Sequence, residues 1–491
     1  MTLPPGVVVR DGVVLRPDPR RVIAKLFIPG AELLIRGESR ADPVIRRLLA
    51  LSEEQVHAEL ADLRAEFSER HHDFEGVLRE RFAQIEPRFD DPDALSEERR
   101  LLAAACFTME FAIEAAALFN PSMVPHPDQA GLPPGWLRFV MSVRAVGEGH
   151  VSSIEFRTGL VGPGGEVIVD DPGLRTVSPR VIPTRYSKDV FVQHYGRRRP
   201  DGESAQFIFD RLPDAFDDAE LEEELRVLRR QSLTRQGVLS VIERFEWMAA
   251  STYSVEFPTD SGLAERVLHP IGPAESHGME DVRLTAFTAD DGRRDYRGTY
   301  TAFSGDRVAP HLLMTDDFTT FHVSQLAGTA ALNKGLALFP RPVGGRELAL
   351  SRWDRESIWL AIAQDLSRWE ADVTLEGPDQ VWSLIQAGNC GPPIETPAGW
   401  LVLTHGVGPM RRYVISALLL DLEDPSRVIG RLPGPLLEAE GVERIGYVPH
   451  VVYSCGGLVH AGRLVVPYGC SDSSIRFAVI GLAPLLDVLT A

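Results

Sequence analysis

Short apolar and aromatic runs, separated by Gly, Pro, Asp and Asn, fill the chain from about residue 120 to residue 491. Such runs between turn-forming residues are typical of β-strands, so we expect a mainly β fold here. Strand-like segments with one polar residue among apolar ones recur at 296–303, 400–407 and 463–470. Recurrence at this spacing favours a radially repeated four-stranded sheet, although a β-sandwich would show the same alternation.

The region before residue 120 has a helical pattern. Apolar residues recur at spacings of three and four from residue 41, and the segments 74–85 and 96–119 continue this pattern. We therefore predict two parts: residues 1–119, an extended segment followed by a helical region, and residues 120–491, the β region. Within the second part, acidic residues precede arginines in 213–232, an order that suits the helix dipole and predicts a helical insertion.

Composition excludes several classes of protein. The formal net charge of −19 argues against a nucleic-acid partner. No apolar stretch is long enough for a membrane span, and Met1–Arg10 lacks the order of a secretory signal, so we expect a cytoplasmic protein without a membrane partner. The four cysteines lie far apart, which predicts no disulfide and no structural zinc.

One histidine pair could be taken for a metal site. His71 and His72 are followed by Asp73, but adjacent residues point to different sides of a helix, so we interpret this cluster as solvated surface. We expect no metal and no bound cofactor. Lysine occurs only at Lys25, Lys188 and Lys334, whereas arginine is used throughout.

The clearest chemical motif is Glu280-Asp281-Val282-Arg283 at the entry to an apolar strand. A carboxyl group whose proton is held by apolar surroundings can protonate a leaving group. The same residues could instead form a salt bridge with Arg283 at a turn. The motif alone leaves both interpretations open.

Further motifs follow in a fixed order and together resemble those of glycoside hydrolase family 130. The resemblance spans about residues 120–489. The segments that carry it are Asn120-Pro121-Ser122, Arg144-Ala145, Ser152-Ser153, the Glu280–Arg283 motif, Tyr300-Thr301-Ala302, Lys334, Leu338-Phe339-Pro340, Ser351-Arg352, Gly388-x-x-Gly391-Pro392-Pro393, Thr404-His405-Gly406-Val407, Tyr413 and Tyr468-Gly469-x-x-Asp472.

This resemblance implies a fold and a set of roles. It implies a five-bladed β-propeller over 120–491 with a central site for β-mannosides and inversion at the anomeric carbon. Asp281 matches the general acid of the family, which in the phosphorylases is thought to act through a sugar hydroxyl. The sugar-binding positions implied are Asn120, Arg144, Ser153, Glu280, Tyr300 and Asp472. The positions implied to surround phosphate, the co-substrate, are Lys334, Arg352, His405 and Tyr413.

Three functions remain open from the sequence. The cationic set favours a β-mannoside phosphorylase, because Lys, Arg, His and Tyr supply the donors that a phosphate dianion needs. An inverting β-mannosidase would need a second carboxylate, for which Glu356 or Glu395 are the candidates. A sugar-binding propeller without activity is the third. We also expect a homo-oligomer, because helices such as those before residue 120 often build subunit contacts in related enzymes.

Overall fold

The computed structural model describes residues 6–29, 34–35, 38–196 and 202–491. The first five residues of the predicted N-terminal segment lie outside these ranges. Strands outnumber helices, so the expectation of a mainly β fold is confirmed. None of the helices in the described ranges is long and apolar enough to cross a membrane.

The N-terminal part combines short strands with helices. Ser52 and Ser96 begin two of the helices, because each hydroxyl accepts a hydrogen bond from a backbone N–H of the first turn. The elements are β1 (Val8–Leu15), β2 (Val22–Leu26), β3 (Leu34–Ile35), β4 (Glu38–Ser39), α1 (Ala41–Leu49), α2 (Glu53–Phe67), α3 (Phe74–Ile85), α4 (Glu97–Cys106) and β5 (Thr108–Ala112).

Two expectations for this part are wrong. The helix predicted over 96–119 ends at Cys106, and the rest of the apolar run forms β5, paired with β2, and the start of the next strand. The run is apolar because consecutive elements are buried, and periodicity cannot separate them. His71 and His72 do not form a solvated surface: they are largely buried and contact Glu110 and Glu265 respectively.

The chain then alternates between strands and a helical excursion. The strands are β6 (Ala117–Pro125), β7 (Leu137–Val146), β8 (Ser152–Val161), β9 (Val167–Val169), β10 (Arg180–Ile182) and β11 (Tyr186–Ser187). The excursion contains α5 (Lys188–Tyr195), α6 (Gly202–Arg211), β12 (Ala215–Phe216), α7 (Asp218–Arg229) and α8 (Val238–Ala250). Helix α7 lies within the predicted 213–232 insertion, and its Asp217 and Glu220 form a capping box.

The remaining chain is almost entirely strand. Its elements are β13 (Tyr253–Glu256), β14 (Val267–Leu268), β15 (Gly278–Thr288), β16 (Arg294–Phe303), β17 (Val308–Thr315), β18 (Thr320–Gln325), β19 (Ala337–Leu338), β20 (Leu348–Ser351), β21 (Ile358–Asp365), β22 (Arg368–Glu376), β23 (Gln386–Asn389), β24 (Ile394–Thr396), β25 (Gly399–Val407), β26 (Tyr413–Leu420), β27 (Val428–Arg431), β28 (Val452–Tyr453), β29 (Leu458–His460), β30 (Arg463–Cys470), β31 (Ser474–Gly481) and α9 (Leu482–Thr490).

These strands form antiparallel groups that follow chain order. Strands β6 to β9 and β15 to β18 belong to one eleven-stranded sheet, in which β8 meets β15 through a single parallel pair. Strands β19 to β22 form a second sheet and β23 to β27 a third. The last sheet contains β28 to β31 and is completed by β1, whose residues pair with β31 from the other end of the chain.

Apolar cores lie between successive groups of strands. Strand β25 shows why: Leu401 and Leu403 pack toward β28, β30 and β31, whereas Trp400 and Val402 pack toward β20 and β21. Successive side chains of a strand point to opposite faces, so a strand covered on both faces is apolar throughout. Similar cores join β6 and β7 to β30 and β31, β8 to β15, and β17 to β19.

Candidate functional site

Loops and strand ends from every group of strands line one cavity of about 380 Å³. Strand order places these residues together although they are separated by hundreds of positions in the chain. Eight of the side chains that the sequence singled out lie in its wall: Asn120, Arg144, Glu280, Asp281, Lys334, Arg352, Tyr413 and Asp472.

Two strand irregularities aim the central groups into the cavity. The β15–β16 register shifts between Glu280 and Arg283, and the β6–β7 register shifts between Phe119 and Ser122. An extra residue in a strand turns a side chain out of the ladder. The backbone at Asn120 and Asp281 is left-handed, with φ of 49° and 57°.

Left-handed backbone is concentrated at this cavity. Besides Asn120 and Asp281, the lining residues His150, Arg411 and Asp472 have positive φ. Such conformations are costly for residues with a Cβ and persist where the surrounding structure enforces them, most often at functional sites. Five of the eleven non-glycine residues with positive φ in the described ranges therefore lie in the wall of this cavity.

A hydrogen-bonded network fixes the Asp281 carboxylate. Its Oδ1 accepts from Asn120 Nδ2 at 2.7 Å and from Arg144 Nη1 at 3.2 Å. The guanidinium of the buried Arg283 donates to the backbone oxygen of Asp281 at 2.8 Å and to the hydroxyl of Tyr453 at 2.8 Å. Arg283 thus holds the backbone beneath the carboxylate. Within the described ranges it forms no salt bridge with the carboxylate of Glu280 or Asp281, in contrast to the alternative considered from the sequence.

Glu280 connects the acidic and cationic sides of the cavity. Its Oε1 accepts from Arg144 Nη2 at 2.7 Å and its Oε2 accepts from Lys334 Nζ at 2.5 Å. Both contacts are charge-assisted, and Glu280 is buried. Its two oxygens are therefore occupied in positioning two cations that face the cavity.

The two aspartates of the cavity have opposite electrostatic environments. Burial raises the pKa of Asp281, but the charges of Arg144, Lys334 and Arg283 outweigh it and hold this pKa below its ordinary value. Burial, together with the negative charge of Asp281, raises the pKa of Asp472 to about 6. The expectation that apolar surroundings hold a proton on Asp281 is thus wrong, because the groups around this carboxylate are cationic.

His405 lies behind the cavity wall and supports Arg352. Burial and the charges of Arg352 and Arg283 hold the pKa of His405 well below its ordinary value, so the imidazole is neutral. Its Nε2 lies 3.1 Å from Arg352 Nη1 and accepts from it. Tyr413 stacks on the imidazole with the ring planes 1° apart and the centroids separated by 6.0 Å. His405 is not among the lining residues, in contrast to its predicted direct place around phosphate.

Ser153 and Tyr300 also lie outside the cavity wall. Ser153 is buried in β8, and its neighbour Ser152 accepts a 2.9 Å hydrogen bond from Arg144 Nε. The Tyr300 hydroxyl donates to the buried Glu275. The expectation that these two side chains reach a sugar is corrected, because both are enclosed by the sheet.

Several lining residues were missed by the sequence interpretation. Tyr447 and His150 stack at 5.7 Å, and Tyr447 is 65% exposed. His277, Arg411 and Phe303 complete this part of the wall. They lie in loops or at strand ends without a motif, so only an alignment of relatives could have identified them. Neither Glu356 nor Glu395 lines the cavity, and Glu395 pairs with Arg341 at 2.7 Å.

The described part of the chain contains no group of three or more His, Cys, Asp or Glu residues arranged to hold a metal ion. The polar lining instead combines carboxylates with Arg and Lys side chains. This donor set suits a polyhydroxylated ligand together with an anion, because carboxylates accept from vicinal hydroxyls and guanidinium groups bind oxyanions.

Comparisons with known proteins agree with this chemistry. A curated 1,2-β-oligomannan phosphorylase from Thermoanaerobacter sp. (strain X514) is 39% identical over 150 residues, which cover 30% of this chain and 50% of the relative. A β-1,2-mannobiose phosphorylase from Listeria innocua is 33% identical over 230 residues, or 45% of this chain and 63% of the relative. The chain thus spans about half to two thirds of the length of these curated relatives.

Two further comparisons cover a larger share of the chain. The solved structure of β-1,2-mannobiose phosphorylase from Listeria innocua with β-1,2-mannobiose aligns over 76% of this chain and 92% of that chain, with a TM-score of 0.45 and 22% identity. The family model Glyco_hydro_130, described as β-1,4-mannooligosaccharide phosphorylase, matches residues 224–491, more than half of the chain. The chain belongs to glycoside hydrolase family 130.

Proposed function

We propose that this protein is an inverting β-mannoside phosphorylase, which transfers a mannosyl group from a β-mannooligosaccharide to phosphate and releases mannose 1-phosphate. The single observation that carries the proposal is the convergence of Asp281 with Lys334 and Arg352 on one cavity. The named phosphorylases among its relatives support the reaction type.

In this proposal, one side of the cavity binds the mannose and the other side binds phosphate. Asn120, Arg144 and Asp472 bind the hydroxyls of the nonreducing mannose beside Asp281. Lys334, Arg352 and the Tyr413 hydroxyl bind phosphate, and His405 is a positioning residue that orients Arg352 from behind. Charged donors held in a partly buried site bind a dianion more strongly than the same groups in water.

These groups account for every bond and proton in the proposed reaction. A phosphate oxygen attacks the anomeric carbon from the face opposite the glycosidic oxygen, forming the new C–O bond as the old one breaks. The leaving oxygen takes a proton from a mannose hydroxyl, which takes one from Asp281. The products are mannose 1-phosphate with inverted configuration and a shortened saccharide, and Asp281 is left as a carboxylate.

The step requires a protonated Asp281, and substrate binding favours this form. Phosphate bound at Lys334 neutralises part of the positive charge that holds the pKa of Asp281 low. A bound sugar also displaces water from the carboxyl group, and both changes favour its protonated form. We propose that Asp281 becomes protonated when both substrates are bound.

The main alternative is an inverting β-mannosidase. It would need a carboxylate to activate water, but Glu356 and Glu395 do not line the cavity. Asp472 is the carboxylate that could replace them. The cations facing the cavity favour phosphate over water as the nucleophile, so phosphorolysis remains the preferred function.

The proposal also includes the arrangement of the strands, the location of the protein and its oligomeric state. We propose that the strand groups over 120–491 form a five-bladed propeller, supported by cores that join them in cyclic order. Four unpaired cysteines support a cytoplasmic location. We also propose a homo-oligomer, for which light scattering at micromolar concentration should give more than the 54.2 kDa of one chain.

Incubation of the purified protein with a panel of β-mannooligosaccharides tests the reaction. We expect release of mannose 1-phosphate that requires phosphate, and the reverse reaction from mannose 1-phosphate and an acceptor sugar. Asp281→Asn should lower turnover by about 10²- to 10⁴-fold while mannoside binding persists. The matched control, Asp290→Asn in an exposed turn, should retain activity.

Other outcomes would replace this function. Equal turnover with and without phosphate would identify a hydrolase. Tight mannoside binding without product under any phosphate concentration or pH would identify a sugar-binding propeller. Normal turnover in Asp281→Asn would remove Asp281 from the mechanism.

A further inference from the structure

A second cavity, of about 1080 Å³, lies between the N-terminal helical part and the large sheet. Strand β2, helix α3 and the segments 176–181, 256–259 and 269–271 form its wall, and it shares no lining residue with the cavity that contains Asp281. Its volume is in the range of pockets that hold a small ligand.

Six basic side chains line this cavity, and three of them come from different elements and have no carboxylate partner in the described part of the chain: Lys25 of β2, Arg81 of α3 and His269 after β14. In the described ranges, Lys25 and Arg81 have no carboxylate partner within ion-pair distance. Lys25 Nζ lies 3.5 Å from the centre of the Phe111 ring, and Arg81 Nη1 donates to Gln84 Oε1 at 2.6 Å. The Arg81 Nε is buried and has no hydrogen-bond partner.

The other charged groups of this wall are already engaged or exposed. Glu256 pairs with Arg180 at 3.1 Å, and the Asp73 carboxylate accepts from the backbone N–H of Gly76 at the start of α3. Glu80 is exposed. His71 and His72, which also line the cavity, contact Glu110 and Glu265 respectively. The positive charge without an ion-pair partner among the described residues is therefore confined to Lys25 and Arg81, and the neutral imidazole of His269 lies in the same wall.

We propose that Lys25, Arg81 and His269 form a second anion site, which binds a phosphate group of inorganic phosphate or of a sugar phosphate. Partly buried cations without an ion-pair partner, such as Lys25 and Arg81, are unfavourable in a protein interior, and an oxyanion that accepts from both removes this cost. The same anion favours the protonated form of His269, which then donates to it. The hydroxyls of Thr176, Ser178 and Thr259 in the same wall can bind the sugar of a phosphate ester.

The electrostatics of the three groups agree with this assignment. Burial lowers the pKa of Lys25 and that of Arg81, and the charges of Glu148 and Glu80, respectively, only partly oppose this. Burial, and then the charges of Lys25 and Arg81, lower the pKa of His269 to about 4. Burial is the largest cause for each group, and the imidazole of His269, with a pKa of about 4, is neutral at neutral pH. Lys25 is also one of only three lysines in a chain with a net charge of −19.

Isothermal titration calorimetry with inorganic phosphate and with mannose 1-phosphate tests this site. In Arg352→Ala, whose catalytic phosphate site is weakened, binding should persist. Adding Lys25→Gln and Arg81→Gln should weaken phosphate binding by about 100-fold or more, because two charge-assisted hydrogen bonds to the anion are lost. Tighter binding of mannose 1-phosphate than of phosphate would identify a sugar phosphate as the ligand; equal binding would identify phosphate.

Two further variants keep the proposal falsifiable. Arg79→Gln removes a charge from the same helix, but Arg79 already pairs with Glu75 and Glu97, so anion binding should not change. His269→Asn keeps an amide donor in place of the imidazole and should weaken binding without unfolding the protein. The second site would be overturned if phosphate affinity were unchanged both in the variant with Lys25→Gln and Arg81→Gln and in His269→Asn. This result is independent of whether the cavity with Asp281 binds phosphate.

Discussion

Replacing Asp472 by Asn should stabilise the protein at neutral pH. Asp472 follows β30 with a left-handed backbone and faces the cavity beside the negative charge of Asp281. Burial and this charge raise its pKa to about 6, although Arg144 and Arg411 oppose them. Ionised Asp472 is therefore less favourable in the folded protein than in the unfolded chain.

The magnitude follows from the two pKa values. A folded-state pKa of about 6 against an ordinary value of 3.8 corresponds to about 3 kcal/mol at about 1.4 kcal/mol per pH unit. Because the folded pKa is the higher one, the stabilising contribution of the protonated carboxyl is present in full below pH 3.8 and is lost as the pH rises through 6. Asn does not titrate, so the advantage of the variant should grow from less than about 1 kcal/mol at pH 4 to about 3 kcal/mol at pH 8.

Urea unfolding followed by tryptophan fluorescence at pH 4, 6 and 8 measures this difference. Asp290→Asn, in an exposed turn, is the matched control and should show no gain that grows with pH. Activity should fall in Asp472→Asn because the sugar loses an acceptor, so stability and activity change in opposite directions. A variant that is no more stable than the wild type at pH 8, or whose advantage does not grow with pH, would refute the reasoning.

Three other substitutions test the cavity. Arg352→Ala should raise the KM for phosphate more than the KM for the mannoside. Initial rates at varied concentrations of each substrate measure both values. A larger rise in the KM for the mannoside would show that Arg352 binds the sugar. Tyr447→Ala removes the exposed ring stacked on His150, and its KM for the acceptor sugar in the reverse reaction should rise several-fold with little change for mannose 1-phosphate. Gly388→Ala would place a methyl group against the His405 ring and 3.0 Å from Arg352 Cδ, so it should displace this pair and reproduce the phosphate defect of Arg352→Ala. Wild-type kinetics would contradict the role of this pair in binding phosphate.

The sequence by itself determined the mainly β fold and most of the cavity. Alternation and turn residues decide strand formation locally, which is why the segments 296–303, 400–407 and 463–470 are strands. Eight predicted site residues line one cavity because an ordered set of motifs marks the strand ends that meet there. The helix predicted over 96–119 failed because a buried strand and a buried helix are equally apolar.

Only the tertiary structure decided what each of these residues contacts. It placed His405 behind Arg352, enclosed Tyr300 in the sheet and surrounded Asp281 with cations. These facts depend on distances between residues far apart in the chain, and no local pattern encodes them. The same holds for Lys25, Arg81 and His269, whose shared cavity exists only because a strand, a helix and a loop pack together. Charge, burial and pKa are properties of that packing rather than of any segment alone.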